Sequence, residues 1–232
     1  MINVYYMDIH CVEEHTLLEY AAHQHLDAVI ERYHATGNSL TASHYLYSEL
    51  LMRLLFRHEL GISLPDQQFS INIHGKPQPE GVEGWYFNKS HSVDYVVVAT
   101  GPVPVGVDVE KIRQARMHVA IRYFSSTENG LLDAISSPER RDQLFYQLWT
   151  SREAYLKFLG QGIAYGLSNF SIVSSGHGDF CVEDPVGLPC ELHLTPLPDL
   201  YQLAICTELG QKIEIQRITE NAVRRFLGFP AG

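Results

Sequence analysis

Three acidic side chains, Asp108, Glu110 and Glu153, have the types and spacing best suited to chemistry in this chain. The first two lie in Gly-Val-Asp-Val-Glu, a pattern that predicts the end of a β-strand. Because strand side chains alternate between faces, both acids point the same way and the intervening valines point into the core. Neighbouring carboxylates repel each other unless a cation lies between them. Mg²⁺ suits such a pair, because it binds one or two carboxylates and completes its shell with phosphate and water.

The third acid lies on a predicted helix, 43 residues after Glu110. Glu153 and Lys157 are four positions apart and therefore share a helix face. An acid beside a cation suits a metal-bound phosphate ester. Taken singly, each motif has a plainer interpretation: the strand acids as a solvated sheet edge, and Glu153 with Lys157 as an exposed ion pair worth about 0.3–0.5 kcal/mol.

Further motifs surround these acids in a definite order. They are His-Gly-Lys-Pro at 74–77, Phe-Asn-Lys-Ser-His-Ser at 87–92, Arg-Tyr-Phe-Ser at 122–125 followed by Glu128, and Trp-Thr-Ser-Arg-Glu-Ala-Tyr-Leu-Lys at 149–157. Together with Gly-Val-Asp-Val-Glu they resemble the signature of the 4′-phosphopantetheinyl transferase superfamily, in its larger, two-half type like the surfactin synthetase activator. A lone Gly-x-Asp-x-Glu is weak evidence, whereas five motifs in the right order are specific.

The resemblance implies an α+β fold of two similar α/β halves that form a pseudo-dimer, with the active site at their interface. We expect an N-terminal half at 1–102, on the coenzyme A side, and a C-terminal half at 103–232, which carries the metal-binding acids and the catalytic helix. A pseudo-dimeric chain completes its own site, so the resemblance also implies a monomer.

The implied reaction is the Mg²⁺-dependent transfer of 4′-phosphopantetheine from coenzyme A, the co-substrate, to a serine of an acyl or peptidyl carrier protein domain. The leaving group is 3′,5′-adenosine diphosphate. Mn²⁺ is the alternative metal. Stabilisation of charge on the phosphoryl oxygens is the main task of such a site.

Residue roles follow from the same resemblance. It implies that Asp108, Glu110 and Glu153 bind the metal. It implies that Glu153, Lys157 and His91 are catalytic, with Glu153 taking the serine proton directly or through a metal-bound water. The implied contacts with coenzyme A come from Lys76, Pro77, Ser90, His91, Arg152 and Lys157.

One part of the family pattern is depleted in this chain. Family members carry a basic cluster for the 3′-phosphate of coenzyme A near residues 28–45, where this sequence offers only Arg32, His34 and His44. An alternative hypothesis is therefore a catalytically weak or inactive member that binds a carrier protein or a nucleotide. A third hypothesis is a transferase that uses Lys89, where the family has an apolar residue, to hold that phosphate.

Composition narrows the classes of function. The 232 residues are 45% hydrophobic and 19% charged, which is typical of an ordered globular protein. A net charge of −10 disfavours nucleic acid, anionic membrane and acidic carriers alike, unless a local basic patch intervenes. The candidate patch is Lys111, Arg113, Arg116 and Arg122. Neither a signal peptide nor an apolar run of about 18 residues is evident, so we predict a cytoplasmic protein with no nucleic-acid or membrane partner.

Hydrophobic periodicity predicts the elements that position these residues. The first half is expected to contain a strand at 2–8, helices at 17–33 and about 45–60, and a short strand at 68–73. A β-branched run at 93–100 is expected to turn at Gly101 and return as 103–110, a hairpin that delivers both strand acids to its far end. The catalytic helix is expected to begin with Ser136 as N-cap and to end at Gly160. Strands at 169–173, 180–182, 190–194, 201–207 and 212–218 and a helix at 220–227 complete the prediction.

Overall fold

The computed structural model describes residues 1–37, 39–175 and 180–227. Its strands are β1 (Ile2–Asp8), β2 (Phe69–Ile71), β3 (Pro77–Pro79), β4 (Tyr86–Ser92), β5 (Tyr95–Gly101), β6 (Val105–Lys111), β7 (Ser171–Ser174), β8 (Phe180–Glu183), β9 (Glu191–Leu197), β10 (Tyr201–Thr207) and β11 (Ile213–Ile218). Its α-helices are α1 (Glu14–His23), α2 (Asp27–Ala35), α3 (Ser39–Leu60), α4 (Met117–Tyr123), α5 (Ser126–Asp133), α6 (Pro138–Leu159) and α7 (Glu220–Phe226). In these described ranges, no helix combines the length and apolarity needed to cross a membrane.

Two sheets packed face to face form the framework. One has the order β11-β1-β5-β4 and the other the order β6-β10-β9. Valines and other apolar residues of both sheets form a shared core between them. The outer face of the first sheet packs against α3 and that of the second against α6, two helices of 22 residues each. The result is a layered α+β fold in which each sheet is covered by one long helix, which confirms the predicted fold class.

The central strands are buried on both faces. Every residue of β5 and every residue of β10 is buried, which requires neighbours on both sides of each sheet. The continuous apolar runs of these two strands made them easy to predict from sequence, and β10 has the predicted bounds.

The C-terminal segment returns to the first sheet. β11 pairs in parallel with β1, and Ile218 and Val223 belong to the same core as Leu50 of α3. The expected division at residue 102 assigns β11 and α7 to the C-terminal half. In space, however, both elements pack with the first sheet and its helices.

The predicted hairpin between 93–100 and 103–110 is wrong. β5 pairs with β1 on one edge and with β4 on the other, so neither edge is available to β6. β6 pairs with β10 instead. The hairpin partner of β5 is β4, which periodicity did not indicate because polar residues occupy most of its positions.

Two helix predictions also need correction. The predicted helix at 17–33 is two helices, α1 and α2, separated where His25 adopts a left-handed φ of 56°. The N-cap of α6 is Ser137 rather than Ser136, and its hydroxyl accepts the N–H of Arg140. The predicted end of this helix at Gly160 is confirmed by its left-handed φ of 69°.

The glycine of Gly-Val-Asp-Val-Glu lets α6 lie directly against β6. A Cβ at Gly106 would overlap the carbonyl oxygen of Ala154 and lie 2.9 Å from the Cα of Phe158. Both obstacles are backbone or close to it, so a side chain at this position cannot be accommodated by rotation. The close approach brings the helix that carries Glu153 against the strand that carries Asp108.

Candidate active site

Strand β4 separates two polar regions, because its side chains alternate between faces. Ser90 and Ser92 face β6 and its acids. Lys89 and His91 face a cavity on the other side. The motif Phe-Asn-Lys-Ser-His-Ser therefore serves two regions through a single strand.

Side chains of β4 join the two sheets along the edge of β6 that is not paired with β10. Asn88, Ser90 and Ser92 accept backbone N–H groups of β6 through their side-chain oxygens. The donors are, in order, Val107 at 2.9 Å, Val109 at 3.3 Å and Lys111 at 3.2 Å. These contacts satisfy backbone donors that would otherwise be buried without partners.

The two serines also orient the strand acids. Ser90 Oγ donates to Oδ1 of Asp108 at 2.8 Å, and Ser92 Oγ donates to Oε2 of Glu110 at 2.8 Å. Val107 and Val109 are completely buried in the core between the sheets. The prediction that the two acids share a face while the valines point inward is confirmed.

Lys157 links the helix to the strand. Its ammonium group donates to Oδ1 of Asp108 at 2.7 Å, to Oγ of Ser90 at 3.0 Å and to the carbonyl oxygen of Val107 at 3.1 Å. These contacts use all three donors of the ammonium group. The interpretation of Lys157 as the partner of Glu153 in an exposed helix ion pair is wrong, since its carboxylate partner is Asp108.

The three acids interact electrostatically. Burial raises the pKa of Glu110, and the negative charge of Asp108 raises it further. Burial likewise raises the pKa of Glu153, with Asp108 as the next cause and Lys157 opposing it. Oδ2 of Asp108 is buried without a hydrogen-bond partner in the described structure. A carboxylate oxygen without a partner and two glutamates that resist ionisation form a site that would gain from a cation.

The three acids suit Mg²⁺, but they do not form a complete metal site by themselves. In the part of the chain that the structure describes, no group of three or more His, Cys, Asp and Glu side chains is arranged to hold a metal ion. Mg²⁺ binds hard oxygen donors and takes several of its ligands from substrate phosphates and water. Asp108, Glu110 and Glu153 offer such donors and need not close around the ion on their own.

The cavity on the other face of β4 has a volume of about 630 Å³. Its walls come from α2, α3, β4 and the β2–β3 hairpin, and Pro77 and His91, two of the residues expected to contact coenzyme A, both line it. Three cations also line it, namely Arg32, Arg53 and Lys89. The cavity is therefore suited to an anion even though the chain as a whole has a net charge of −10.

Glu49 organises two of these cations. Its carboxylate lies 2.9 Å from Nε of Arg53 and 2.6 Å from Nζ of Lys89. Burial alone would raise the pKa of Glu49, but Lys89 and Arg53 lower it. Sequence analysis missed Glu49 and Arg53, although their four-residue spacing on a helix was a usable signal.

Aromatic rings support the same cations. The guanidinium carbon of Arg32 lies 4.9 Å from the ring centre of Tyr45, and Nζ of Lys89 lies 5.9 Å from it. Arg53 lies 4.9 Å from the ring centre of Phe69. Such contacts hold cations in place without neutralising them.

The prediction that Arg152 binds phosphate is wrong. Its side chain is completely buried and forms an ion pair with Glu128. The guanidinium group also donates to the carbonyl oxygens of Leu167 and Phe170. Arg152 is therefore a structural cation beneath the site, where its Nη1 and Nη2 groups reach more acceptors than the ammonium group of lysine could.

Two further expected contacts with coenzyme A differ in the structure. Ser90 is buried beside Asp108 and faces away from the cavity. The ammonium group of Lys76 donates to the carbonyl oxygens of Lys157 at 2.6 Å and Val105 at 3.3 Å. Lys76 therefore binds the C-terminal end of α6, where a cation is favoured by the helix dipole.

Comparisons with known proteins show which family this sequence resembles. The model of the 4′-phosphopantetheinyl transferase superfamily matches residues 104–206. The 4′-phosphopantetheinyl transferase psf-1 of Bacillus pumilus is 37% identical over 172 residues, which cover 72% of this chain and 72% of that protein. The 4′-phosphopantetheinyl transferase Sfp of Bacillus subtilis (strain 168) is 31% identical over 162 residues, 69% of this chain and 72% of that protein.

Among solved structures, the holo-[acyl-carrier-protein] synthase of Thermotoga maritima matches with a TM-score of 0.38 and 22% identity, over 46% of this chain and 63% of that one. The matched residues 104–206 include all three acids and the whole of α6. On the strength of the family match and of relatives above 30% identity over more than two thirds of their length, this chain belongs to the 4′-phosphopantetheinyl transferase superfamily.

Proposed function

We propose that this protein transfers the 4′-phosphopantetheine group of coenzyme A to a serine hydroxyl of an acyl or peptidyl carrier protein domain, with Mg²⁺ as cofactor. The observation that carries the proposal is the position of β4 between a cationic cavity and a carboxylate–lysine cluster. A substrate with a phosphorylated adenosine at one end and a reactive pyrophosphate in the middle matches these two adjacent regions.

The cavity would hold the adenosine end. Pro77 offers an apolar surface, while Arg32, Arg53 and Lys89 offer positive charge. Partial burial, with His44 as the next cause, lowers the pKa of His91 to about 4. At neutral pH, His91 would therefore bind a phosphate oxygen as a neutral hydrogen-bond donor rather than as a cation.

Asp108, Glu110 and Glu153 would hold Mg²⁺, which when bound neutralises charge on the phosphoryl oxygens and on the departing oxygen. Lys157, whose three donors contact Ser90, Val107 and Asp108, would turn one of them toward the same phosphate. Glu153 would serve as the general base for the serine hydroxyl.

The proposed transfer needs no reactant besides coenzyme A and the carrier serine. The serine oxygen forms a bond to phosphorus, and the bond from phosphorus to the bridging oxygen breaks. The leaving 3′,5′-adenosine diphosphate keeps the electron pair of that bond. The serine proton goes to Glu153, directly or through water.

A carrier surface would lie beside the acids. Arg113, Arg116 and Arg122 are exposed after β6, and Ile121 among them is 76% exposed. Lys111 does not contribute free charge to this patch, because it is paired with Asp94 at 2.9 Å. Three exposed arginines close in sequence to an exposed isoleucine fit an acidic partner that the rest of the protein would repel.

An alternative function is a catalytically weak or inactive member that binds a carrier protein or nucleotide. Glu49 favours this alternative, because it already occupies two of the three cations in the cavity. It would reduce the affinity for a phosphate that has to compete for Lys89 and Arg53.

The deciding experiment is intact-mass spectrometry of a panel of apo carrier proteins incubated with this protein, coenzyme A and Mg²⁺. A gain of one phosphopantetheine that is lost on chelation supports the transferase. Asp108→Asn should abolish the gain and Glu208→Gln, at an exposed acid, should not. If the folded protein modifies no carrier but still binds coenzyme A in calorimetry, the binding function replaces the transferase.

A further inference from the structure

The turn between β4 and β5 contains a backbone conformation that its sequence disfavours. Ser92 and Tyr95 are paired, so only Val93 and Asp94 lie between the strands. Val93 has a φ of 50°, in the left-handed region. A β-branched residue is a clear outlier there, and such conformations persist only where surrounding contacts impose them.

Contacts on both sides impose this conformation. On the side of the second sheet, the N–H of Asp94 donates to the hydroxyl of Tyr201 at 3.0 Å, and that hydroxyl donates back to Oδ2 of Asp94 at 2.9 Å. On the side of α3, Nε2 of His44 lies 2.8 Å from the carbonyl oxygen of Val93. A carbonyl can only accept, so His44 carries its proton on Nε2.

His44 has a second contact in the same hairpin. Its ring stacks on the ring of His91, with the centres 4.3 Å apart and the planes 21° from parallel. His44 itself is buried, whereas His91 is only partly covered and lines the cavity. One buried histidine of α3 thus touches both the strained turn and the proposed phosphate donor.

We propose that His44 is a positioning residue for substrate binding: it holds the left-handed turn at Val93 through its Nε2 and fixes the ring of His91 by stacking. The end of β4 then has one arrangement, with His91 toward the cavity and Ser92 toward Glu110. This inference rests on the proposed function for its consequence in binding, but the contact between His44 and Val93 can be tested without it.

The test separates the hydrogen bond from the ring. His44→Phe keeps a ring for stacking and removes the donor. Val93→Gly removes the strain, because glycine adopts positive φ without a Cβ penalty. We expect His44→Phe to weaken binding of adenosine 3′,5′-diphosphate in calorimetry by roughly fivefold, the loss of one hydrogen bond. The Val93→Gly variant should bind this nucleotide within about twofold of the wild-type affinity. The double variant should return to that affinity, because glycine adopts the turn without the hydrogen bond from His44.

Two other measurements keep the outcome clear. The nitrogen resonances of His91 should shift and broaden in His44→Ala, which removes the ring, but far less in His44→Phe. In urea unfolding, the stability effects of His44→Phe and Val93→Gly should fail to add, as contacting residues do. Additive effects, or unchanged binding in His44→Phe while the wild type binds, would overturn the proposal. If the wild type binds no nucleotide, the proposed function fails, and the unfolding cycle still decides whether His44 holds the turn.

Discussion

Arg152 and Glu128 form an ion pair that is completely inaccessible to solvent, with Nη1 of the arginine 2.6 and 2.7 Å from the two carboxylate oxygens. Glu128 also completes a capping box with Ser125 at the start of α5. The guanidinium carbon of Arg152 lies 4.5 Å from the ring centre of Phe170. The pair therefore joins α5, α6 and the segment before β7, directly beneath Glu153.

We predict that Arg152→Met lowers the free energy of unfolding by about 3–5 kcal/mol, because it leaves Glu128 buried without its partner. Urea unfolding at neutral pH measures the loss. The matched control is Arg224→Met, which removes an exposed i,i+4 partner of Glu220 and should cost less than about 0.5 kcal/mol. Equal small losses in both variants would show that Arg152 does not anchor α6.

A second prediction concerns the contact of β6 with α6. Gly106→Ala should destabilise the fold by about 1–3 kcal/mol or more, because its Cβ would overlap the backbone of α6. Transfer activity should fall with it, since the helix carries Glu153 and Lys157. Thermal unfolding and the carrier assay measure the two effects.

Gly130→Ala is the control for that substitution. Gly130 lies within α5 and a Cβ there would meet nothing within 4 Å. Alanine has the higher helix propensity, so this variant should be stabilised by roughly 0.5–1 kcal/mol. A neutral Gly106→Ala beside a stabilised Gly130→Ala would mean that β6 and α6 are not in close contact.

Local patterns predicted the elements whose burial is simple. The uniform apolar run of β10 and the glycine end of α6 needed no tertiary information. Strand β4 was not predicted, because its polar side chains show no apolar pattern. They accept backbone N–H groups of β6, a role that depends on another strand and cannot be seen in the local sequence. The break at His25 has no glycine or proline to mark it.

In the site, too, local features were predicted correctly and features set by tertiary contacts were not. Spacing predicted that Asp108 and Glu110 share a face, since strand alternation is a local property. The roles of Arg152 and Lys76 were wrong because a charged residue in a motif can serve the fold as well as the substrate. Only the positions of Glu128 and of the end of α6 decide between those roles.

The third prediction concerns pH. Burial lowers the pKa of Lys76 to about 8, below its ordinary value of 10.5. Between these two values the folded protein binds fewer protons than the unfolded protein, so Lys76 makes stability rise with pH from about 8 to about 10.5. Below pH 8 the lysine is charged in both states and contributes no slope.

Lys76→Met should remove this rise. The difference in unfolding free energy between wild type and variant, measured in urea at pH 7.5, 9 and 10.5, should shift in favour of the wild type as pH increases. Taking the difference cancels the titration of groups common to both proteins. Lys212→Met, at an exposed lysine, is the control for removing one positive charge. A constant difference for Lys76→Met would place its ammonium group in contact with solvent.

The last prediction tests whether Lys89 binds the 3′-phosphate of coenzyme A in this chain, which offers few cations at residues 28–45. Lys89 lines the cavity with Arg32 and Arg53, and Glu49 holds it at 2.6 Å. If Lys89 binds that phosphate, Lys89→Ala should raise the KM for coenzyme A by roughly tenfold, the loss of a charge-assisted hydrogen bond. The KM for dephospho-coenzyme A, which lacks the phosphate, should change by less than about twofold.

Removing the charge of Glu49 should change the KM for coenzyme A in the opposite direction. Glu49→Gln keeps the size of the side chain and frees the charge of Lys89 and Arg53, so it should lower the KM for coenzyme A and leave that for dephospho-coenzyme A nearly unchanged. Equal changes for both substrates in Lys89→Ala would assign the lysine to packing against Tyr45 instead. Opposite shifts in the two variants, confined to the phosphorylated substrate, would identify Lys89 and Glu49 as the pair that sets phosphate affinity in this cavity.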